Sequence, residues 1–322
     1  MTLGPLIRPR ALCPGDTIAI VSPCGPVTPD HLTFAEDTLA SWGFRTTRDR
    51  DVLARTDPGY LAGSDAERAN ALMRAFADPE VDAILCARGG YGAMRILELL
   101  DPWVIRSNPK LLIGFSDVTA LHLYLAHTVG LASLHGPVAK SFRLHDERTA
   151  GAPDDVRSLE HLRRALLGAR GAFSLETLRT VRPGEAQGPL YGGNLSLLAA
   201  MLSSAHCPDL SGAVVLLEEV GESDYRLDRL LTQVRTSERA RGLGGIVLGE
   251  FTECAGAYVH EDGIDAFVDA LAAEFGCPVV AGLPVGHGPR NVAVPMGLTA
   301  HLDATKGAVH IKEDTCSLGE SR

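Results

Sequence analysis

The first 140 residues alternate two patterns: short apolar runs with no helical period, and longer stretches with apolar residues three and four apart. Residues 16–22 are one such run and read as a buried strand, broken by Pro23-Cys24-Gly25-Pro26. Residues 28–43 then place Leu32, Ala35, Leu39 and Trp42 on one helical face. A short strand over 44–47 and a loop at Asp57-Pro58-Gly59 follow, after which Ser64 caps a helix carrying Ala66, Ala69, Leu72, Met73 and Phe76. Residues 81–87 form the next strand and run into Arg88-Gly89-Gly90-Tyr91-Gly92. A helix over 93–100 precedes an apolar strand from Lys110 to Phe115. Beyond Ser116, the residues Val118, Leu121, Leu125 and Val129 fall at helical spacing. Residues 131–134 add a strand that ends at His135-Gly136-Pro137. Strands separated by helices of this length predict a parallel, doubly wound sheet, whose functional loops gather beyond the carboxyl ends of the strands.

Between about residues 141 and 187 the pattern breaks: Arg, Asp and Glu are dense, and one helical segment (158–167) is flanked by Gly, Ala and Pro. The chain is therefore divided into an N-terminal domain (1–165), a connection (166–187) and a C-terminal domain (188–322). In the last part a helix over 195–203 leads to a strand at 213–217 that Glu218-Glu219 terminates. An amphipathic helix carries Tyr225, Leu227, Leu230, Leu231 and Val234; a strand (245–249) and a helix (264–275) come next. Residues 278–282 lead into Pro284-Val285-Gly286-His287-Gly288. Alternating segments at 291–294, 298–302 and 308–312 read as an antiparallel meander. The expected fold class is α/β in two domains: a doubly wound, mainly parallel N-terminal sandwich and a smaller C-terminal α/β domain with antiparallel hairpins.

At 322 residues the chain is long enough for two cores, and 45% hydrophobic with 22% charged residues is ordinary for a globular protein. A formal net charge of −10 with scattered basic residues argues against nucleic acid as a partner. No apolar run approaches a membrane span, and the N-terminus lacks an apolar signal core, so a cytoplasmic protein with no membrane partner is expected. The seven cysteines are widely spread, with no Cys-x-x-Cys pair for zinc or redox chemistry. Cys24 alone lies in a loop, with no basic residue near it in sequence to activate it.

The candidate chemistry gathers at strand ends. Ser116 sits on a tight strand-to-helix joint, where a hydroxyl points out of the sheet beside the free N–H groups that open a helix. The local residues leave two readings open, a nucleophile or a helix cap. A nucleophile needs a base and a group that orients it. His287, between two glycines after an apolar run, suits the base. Glu218 suits the acid, because neighbours on a strand point to opposite faces and Glu219 would then turn towards the surface or a neighbouring helix. The glycines of Arg88–Gly92 let backbone N–H groups approach a ligand, so Gly89 or Gly90, with the N–H of Asp117, is a candidate oxyanion site. His135, before Gly136-Pro137, is a candidate pocket-lining residue. Arg88 is an open candidate for a substrate carboxylate, equally readable as structural. No phosphate-binding glycine pattern is present.

Taken in order, Arg88-Gly89-Gly90-Tyr91-Gly92, Gly114-Phe115-Ser116-Asp117, His135-Gly136-Pro137, Gly192-Gly193-Asn194-Leu195, Leu217-Glu218 and Pro284-Val285-Gly286-His287 resemble the LD-carboxypeptidases. These are serine peptidases of the muramoyl-tetrapeptide carboxypeptidase type, and the family includes the microcin C self-immunity peptidases. The resemblance runs from about Pro14 to Lys312. It implies a Ser116–His287–Glu218 triad split across two domains, a homodimer, no metal or organic cofactor, and release of terminal D-alanine from a murein peptide. The alternative substrate is an aminoacyl-nucleotide amide, whose cleavage in relatives involves an extra loop with an aromatic residue. Glu219 stands where relatives often carry aspartate. An α/β-hydrolase would need Gly-x-Ser-x-Gly, which is missing. A non-catalytic two-domain peptide binder would need neither Ser116 nor His287.

Overall fold

The computed structural model describes residues 4–56, 58–144, 158–168, 173–176, 178–255, 263–313 and 316. Asp57 and much of the polar stretch after Ser141 lie outside the described residues.

The first half builds a six-stranded sheet. It contains β1 (Thr17–Val21), β2 (Arg45–Arg48), β3 (Ala83–Cys86), β4 (Leu111–Gly114) and β5 (Ser133–His135), all parallel. Along β1 the side chains alternate between two cores. Ile18 and Ile20 pack with Leu32 and Leu39 of α1 (Pro29–Ser41) and with Leu162 of the helix over Ser158–Leu166. Ala19 and Val21 pack on the other face with Leu72 and Phe76 of α2 (Asp65–Ala77). Helices on both faces are what the sequence pattern predicts for a doubly wound sheet. Ser64 starts α2 as expected: its hydroxyl accepts from the Glu67 N–H, and the Glu67 carboxylate accepts from the Ser64 N–H. The helix expected over 93–100 is shorter. α3 (Ala93–Ile96) gives way to a 3₁₀ turn over Leu97–Leu99, and Asp101 then caps α4 (Pro102–Ser107).

After β4 the chain forms a 3₁₀ turn (Ser116–Val118) and α5 (Thr119–Tyr124), followed by a wider turn over Leu125–Val129. The helix over Ser158–Leu166 is α6.

The second sheet has eight strands in the order β6-β14-β13-β8-β9-β10-β11-β7. Its middle is parallel: β8 (Glu185–Asn194), β9 (Val214–Val220), β10 (Gly245–Thr252) and β11 (Val279–Ala281). β6 (Phe173–Leu175), β7 (Arg179–Arg182), β13 (Thr299–Asp303) and β14 (Ala308–Ile311) flank it by antiparallel pairing. α7 (Leu195–Met201), α8 (Asp224–Thr236) and α9 (Gly263–Ala273) accompany the parallel strands.

Two features depart from the sequence reading. The segment 166–187, expected as a connection, supplies β6, β7 and the start of β8 to the second sheet. The last part of the chain does not stay in its own domain: β12 (Val294–Met296) pairs antiparallel with β5 and closes the edge of the first sheet. The helices facing the seam share one apolar core, in which Leu121 and Leu125 lie with Leu195, Leu198 and Leu217. Among the described residues no helix is long and apolar enough to cross a membrane.

Candidate active site

Ser116 does not cap a helix. Its backbone is left-handed, with φ of 65°, a conformation shared among the described non-glycine residues only with Glu253. A non-glycine residue there is strained, and the strain turns the side chain out of the path of the helix that follows. Phe115, extended just before it, ends the apolar run. The Ser116 hydroxyl lies 2.9 Å from Nε2 of His287. His287 Nδ1 lies 2.8 Å from Oε2 of Glu218, which has no exposed surface. The three residues come from β4's end, the loop after β11 and the last third of β9, and the fold brings them into one hydrogen-bonded chain across the seam.

The glutamates divide as strand alternation requires. Both lie inside β9, not beyond its end, because the strand runs on to Val220. Glu218 faces His287. Glu219 faces the start of α7, where its carboxylate accepts from Asn194 Nδ2 at 2.8 Å and from the Ser196 N–H at 2.8 Å. Asn194 is also the cap of α7, and its N–H donates to the Thr119 hydroxyl at 3.0 Å, which ties the seam one turn from Ser116.

Burial alone would lower the His287 pKa. The hydrogen bond and charge of Glu218, with the charges of Glu219 and Glu253, outweigh it and hold the imidazole above its ordinary 6.5. The same hydrogen bond to Glu218 stabilises the protonated ring, the form a general base takes once it has accepted a proton. The side of its ring packs on Phe115, with centroids 4.9 Å apart.

The glycine turn abuts the serine. A Cβ at Gly89 would stand 2.8 Å from the Ser116 Cβ and 3.1 Å from its Oγ, so no side chain fits there. Gly90 takes a φ of 103°. The turn is held from behind by Gly25, whose N–H donates to the Gly89 carbonyl at 2.9 Å. It is also held by Arg68, a fully buried cation absent from the sequence reading. Arg68 Nη1 donates to the carbonyls of Pro23 at 2.6 Å and Gly92 at 2.8 Å, and its other arm pairs with Asp65. Its signal was there: Arg68 shares a helical stripe with the buried Leu72 and Ala75.

Asp117 is buried, and its carboxylate accepts from the Ala93 N–H at 2.8 Å, so its side chain serves the turn as well. Cys24 lies against that carboxylate. Burial first, and Asp117 next, push its thiol well above the usual range, which leaves no thiolate for nucleophilic attack.

His135 corrects the expectation that it lines the pocket. It is fully buried between β4 and β12, packed edge-on against Phe115, and among the described residues neither ring nitrogen has a hydrogen-bond partner. Burial, then the neighbouring His122 and His287, hold its pKa well below the usual value and keep the ring neutral.

Comparison with known proteins gives the chain a family. Residues 18–136 match the LD-carboxypeptidase N-terminal domain and residues 187–302 the LD-carboxypeptidase C-terminal domain. A putative carboxypeptidase of Streptomyces coelicolor is 40% identical, covering 98% of this chain and 99% of the relative. The murein tetrapeptide carboxypeptidase of Pseudomonas aeruginosa is 36% identical, covering 90% and 94% respectively. The microcin C7 self immunity protein MccF shares the fold, with a TM-score of 0.83 at 22% identity over 97% of this chain and all of that one.

Proposed function

From the premise that this chain belongs to the LD-carboxypeptidase family and is therefore a peptidase, we propose that it uses Ser116 to release terminal D-alanine from a murein tetrapeptide. The observation that carries this reading is the unbroken chain from Ser116 Oγ through His287 to Glu218 on a left-handed serine. His287 takes the hydroxyl proton as Ser116 attacks the carbonyl carbon, and then gives it to the departing D-alanine amine. Glu218 fixes the ring tautomer and stabilises the imidazolium. The N–H groups of Asp117 and of Gly89 or Gly90 hold the oxyanion, where losing one donor typically costs about 10²–10³ in rate. Water, activated by His287 in the same way, then clears the acyl-enzyme.

The reading carries with it a cytoplasmic homodimer acting in peptidoglycan recycling, without metal or organic cofactor. The test is release of D-alanine from murein tetrapeptide in the presence of EDTA by the protein as it stands, and its loss in Ser116→Ala. Activity that survives in Ser116→Ala sinks the reading.

A second reading keeps the triad and changes the substrate to an aminoacyl-nucleotide amide, since that branch of the family shares this fold. Neither tryptophan supplies its stacking aromatic in the loops around Ser116: Trp42 packs on Phe142 at the end of α1, and Trp103 lies exposed on α4. Both substrates assayed side by side decide between the two.

A further inference from the structure

This acidic chain, at a net −10, sets two cationic residues at the base of the glycine turn that abuts Ser116. Arg88 opens the glycine turn whose next residue touches Ser116. Its guanidinium lies over Gly25 and donates from Nη1 to the Pro26 carbonyl at 3.1 Å. Lys140 arrives from the other side, after His135-Gly136-Pro137. Its N–H donates to the Ala87 carbonyl at 2.9 Å, so the two cationic residues branch from adjoining points of the backbone. Arg88 is half-buried and Lys140 exposed. Among the described residues neither has a carboxylate within ion-pair distance, whereas Arg10, Arg48, Arg74 and Arg95 are each held by one.

Like charges side by side repel, and the repulsion is felt locally. Burial and then Arg88 push the Lys140 pKa below its ordinary value. Burial, then Lys140 and Arg88, do the same to His31 at the start of α1. Two neighbouring cations without a carboxylate partner among the described residues, at the base of the turn that touches Ser116, leave room for an anion from outside.

We infer that Arg88 and Lys140 form the subsite for a substrate carboxylate, and that it is the terminal carboxylate of the residue being released. The inference rests on the peptidase reading above. A terminal residue differs from an internal one by its free carboxylate, so an enzyme that removes only the last residue needs a group that senses it. That carboxylate sits about one residue's length, ~3.5 Å, beyond the carbon Ser116 attacks. The residue that precedes Gly89 in the turn is well placed to meet it. A planar guanidinium takes a carboxylate through two parallel hydrogen bonds, and an ammonium adds charge without demanding geometry.

The experiment compares kcat/KM on three peptides: the murein tetrapeptide, the same peptide with its terminal carboxylate amidated, and one amidated on an upstream carboxylate. The unaltered protein is expected to prefer the free terminus over the terminal amide by about 10- to 100-fold. It should treat the upstream amide like the parent. In Arg88→Met and Lys140→Met the preference should fall towards unity, mainly through KM. Lys140→Met keeps the Arg88–Pro26 hydrogen bond, so the test survives if Arg88→Met disturbs the turn. Equal rates on free and amidated termini, a preference that follows the upstream carboxylate, or a preference unchanged in both variants overturns the subsite. No D-alanine release from any peptide by the unaltered protein overturns the peptidase reading itself, and the subsite with it.

Discussion

A methyl group added at Gly89 has nowhere to go, because the Ser116 Cβ and hydroxyl already occupy its place. Gly89→Ala should therefore push the nucleophile or the turn aside and lower kcat by about 10²-fold, the usual cost of a misplacement near 1 Å. Tm should fall as well, since Gly89 is buried and overpacking a buried site costs about 1–3 kcal/mol; a kinetic assay beside a thermal melt checks both. His287 gives the pH dependence. Its raised pKa means that the folded state favours the imidazolium, so the stability this contributes is present at acid pH and lost as pH rises through the folded value. Activity needs the neutral ring and rises over that same interval. In Glu218→Gln the main raising influence goes while burial stays. The acid limb of the kcat/KM profile should then shift to lower pH, with the plateau reduced by up to about 10⁴-fold. An unmoved limb would show that Glu218 does not set the titration. Single residues were the most legible scale. Ser116, Glu218 and His287 each end or interrupt an apolar run, which marks them as candidates, but for Ser116 the run left a helix cap open and the family resemblance supplied the triad. His135 was misread at the same scale: its burial depends on β12, which arrives from 160 residues later in the chain.

The loop that carries His287 is held as an element, not residue by residue. The Glu250 N–H donates to the Val285 carbonyl at 2.8 Å, and its carboxylate accepts from Arg290 Nε at 3.2 Å and Nη2 at 3.0 Å. Both ends of the loop are thus tied to β10. Gly286 is needed because it takes a φ of 154° and a Cβ there would stand 3.0 Å from the Glu250 Cβ. Half-exposed ion pairs contribute at most about 1 kcal/mol to stability. Arg290→Met should accordingly leave Tm nearly unchanged yet lower kcat about 10-fold by loosening the base, with KM unaffected. Equal losses in Tm and kcat would make the pair merely structural. Elements were legible where periodicity is local, as in α1, α2 and the strands of the first sheet. The partners of short alternating strands were not. Nothing in Val294-Pro295-Met296 says that it pairs with β5, and the three residues of β6 are too few to show a period.

At the scale of the molecule, the proposed triad keeps its hydrogen bonds only while two halves of the chain stay together. Ser116 belongs to the first sheet; Glu218 and His287 are held by the second. Two devices join them near the site: β12 on the edge of the first sheet, and the Asn194 N–H on the buried Thr119 hydroxyl at 3.0 Å. Thr119→Val keeps the shape and removes the acceptor, leaving a buried N–H unpaired at a cost of about 1–3 kcal/mol. That cost falls on the seam, whereas each sheet retains its own ladder, so the seam should open before either half unfolds. In a urea titration, D-alanine release by Thr119→Val should disappear at a lower concentration than the far-ultraviolet dichroism. Thr119→Ser, which keeps the acceptor, should behave like the unaltered protein. If activity and dichroism are lost together in Thr119→Val, the two sheets open as one unit, and the proton relay is guarded by the whole fold and not by its seam.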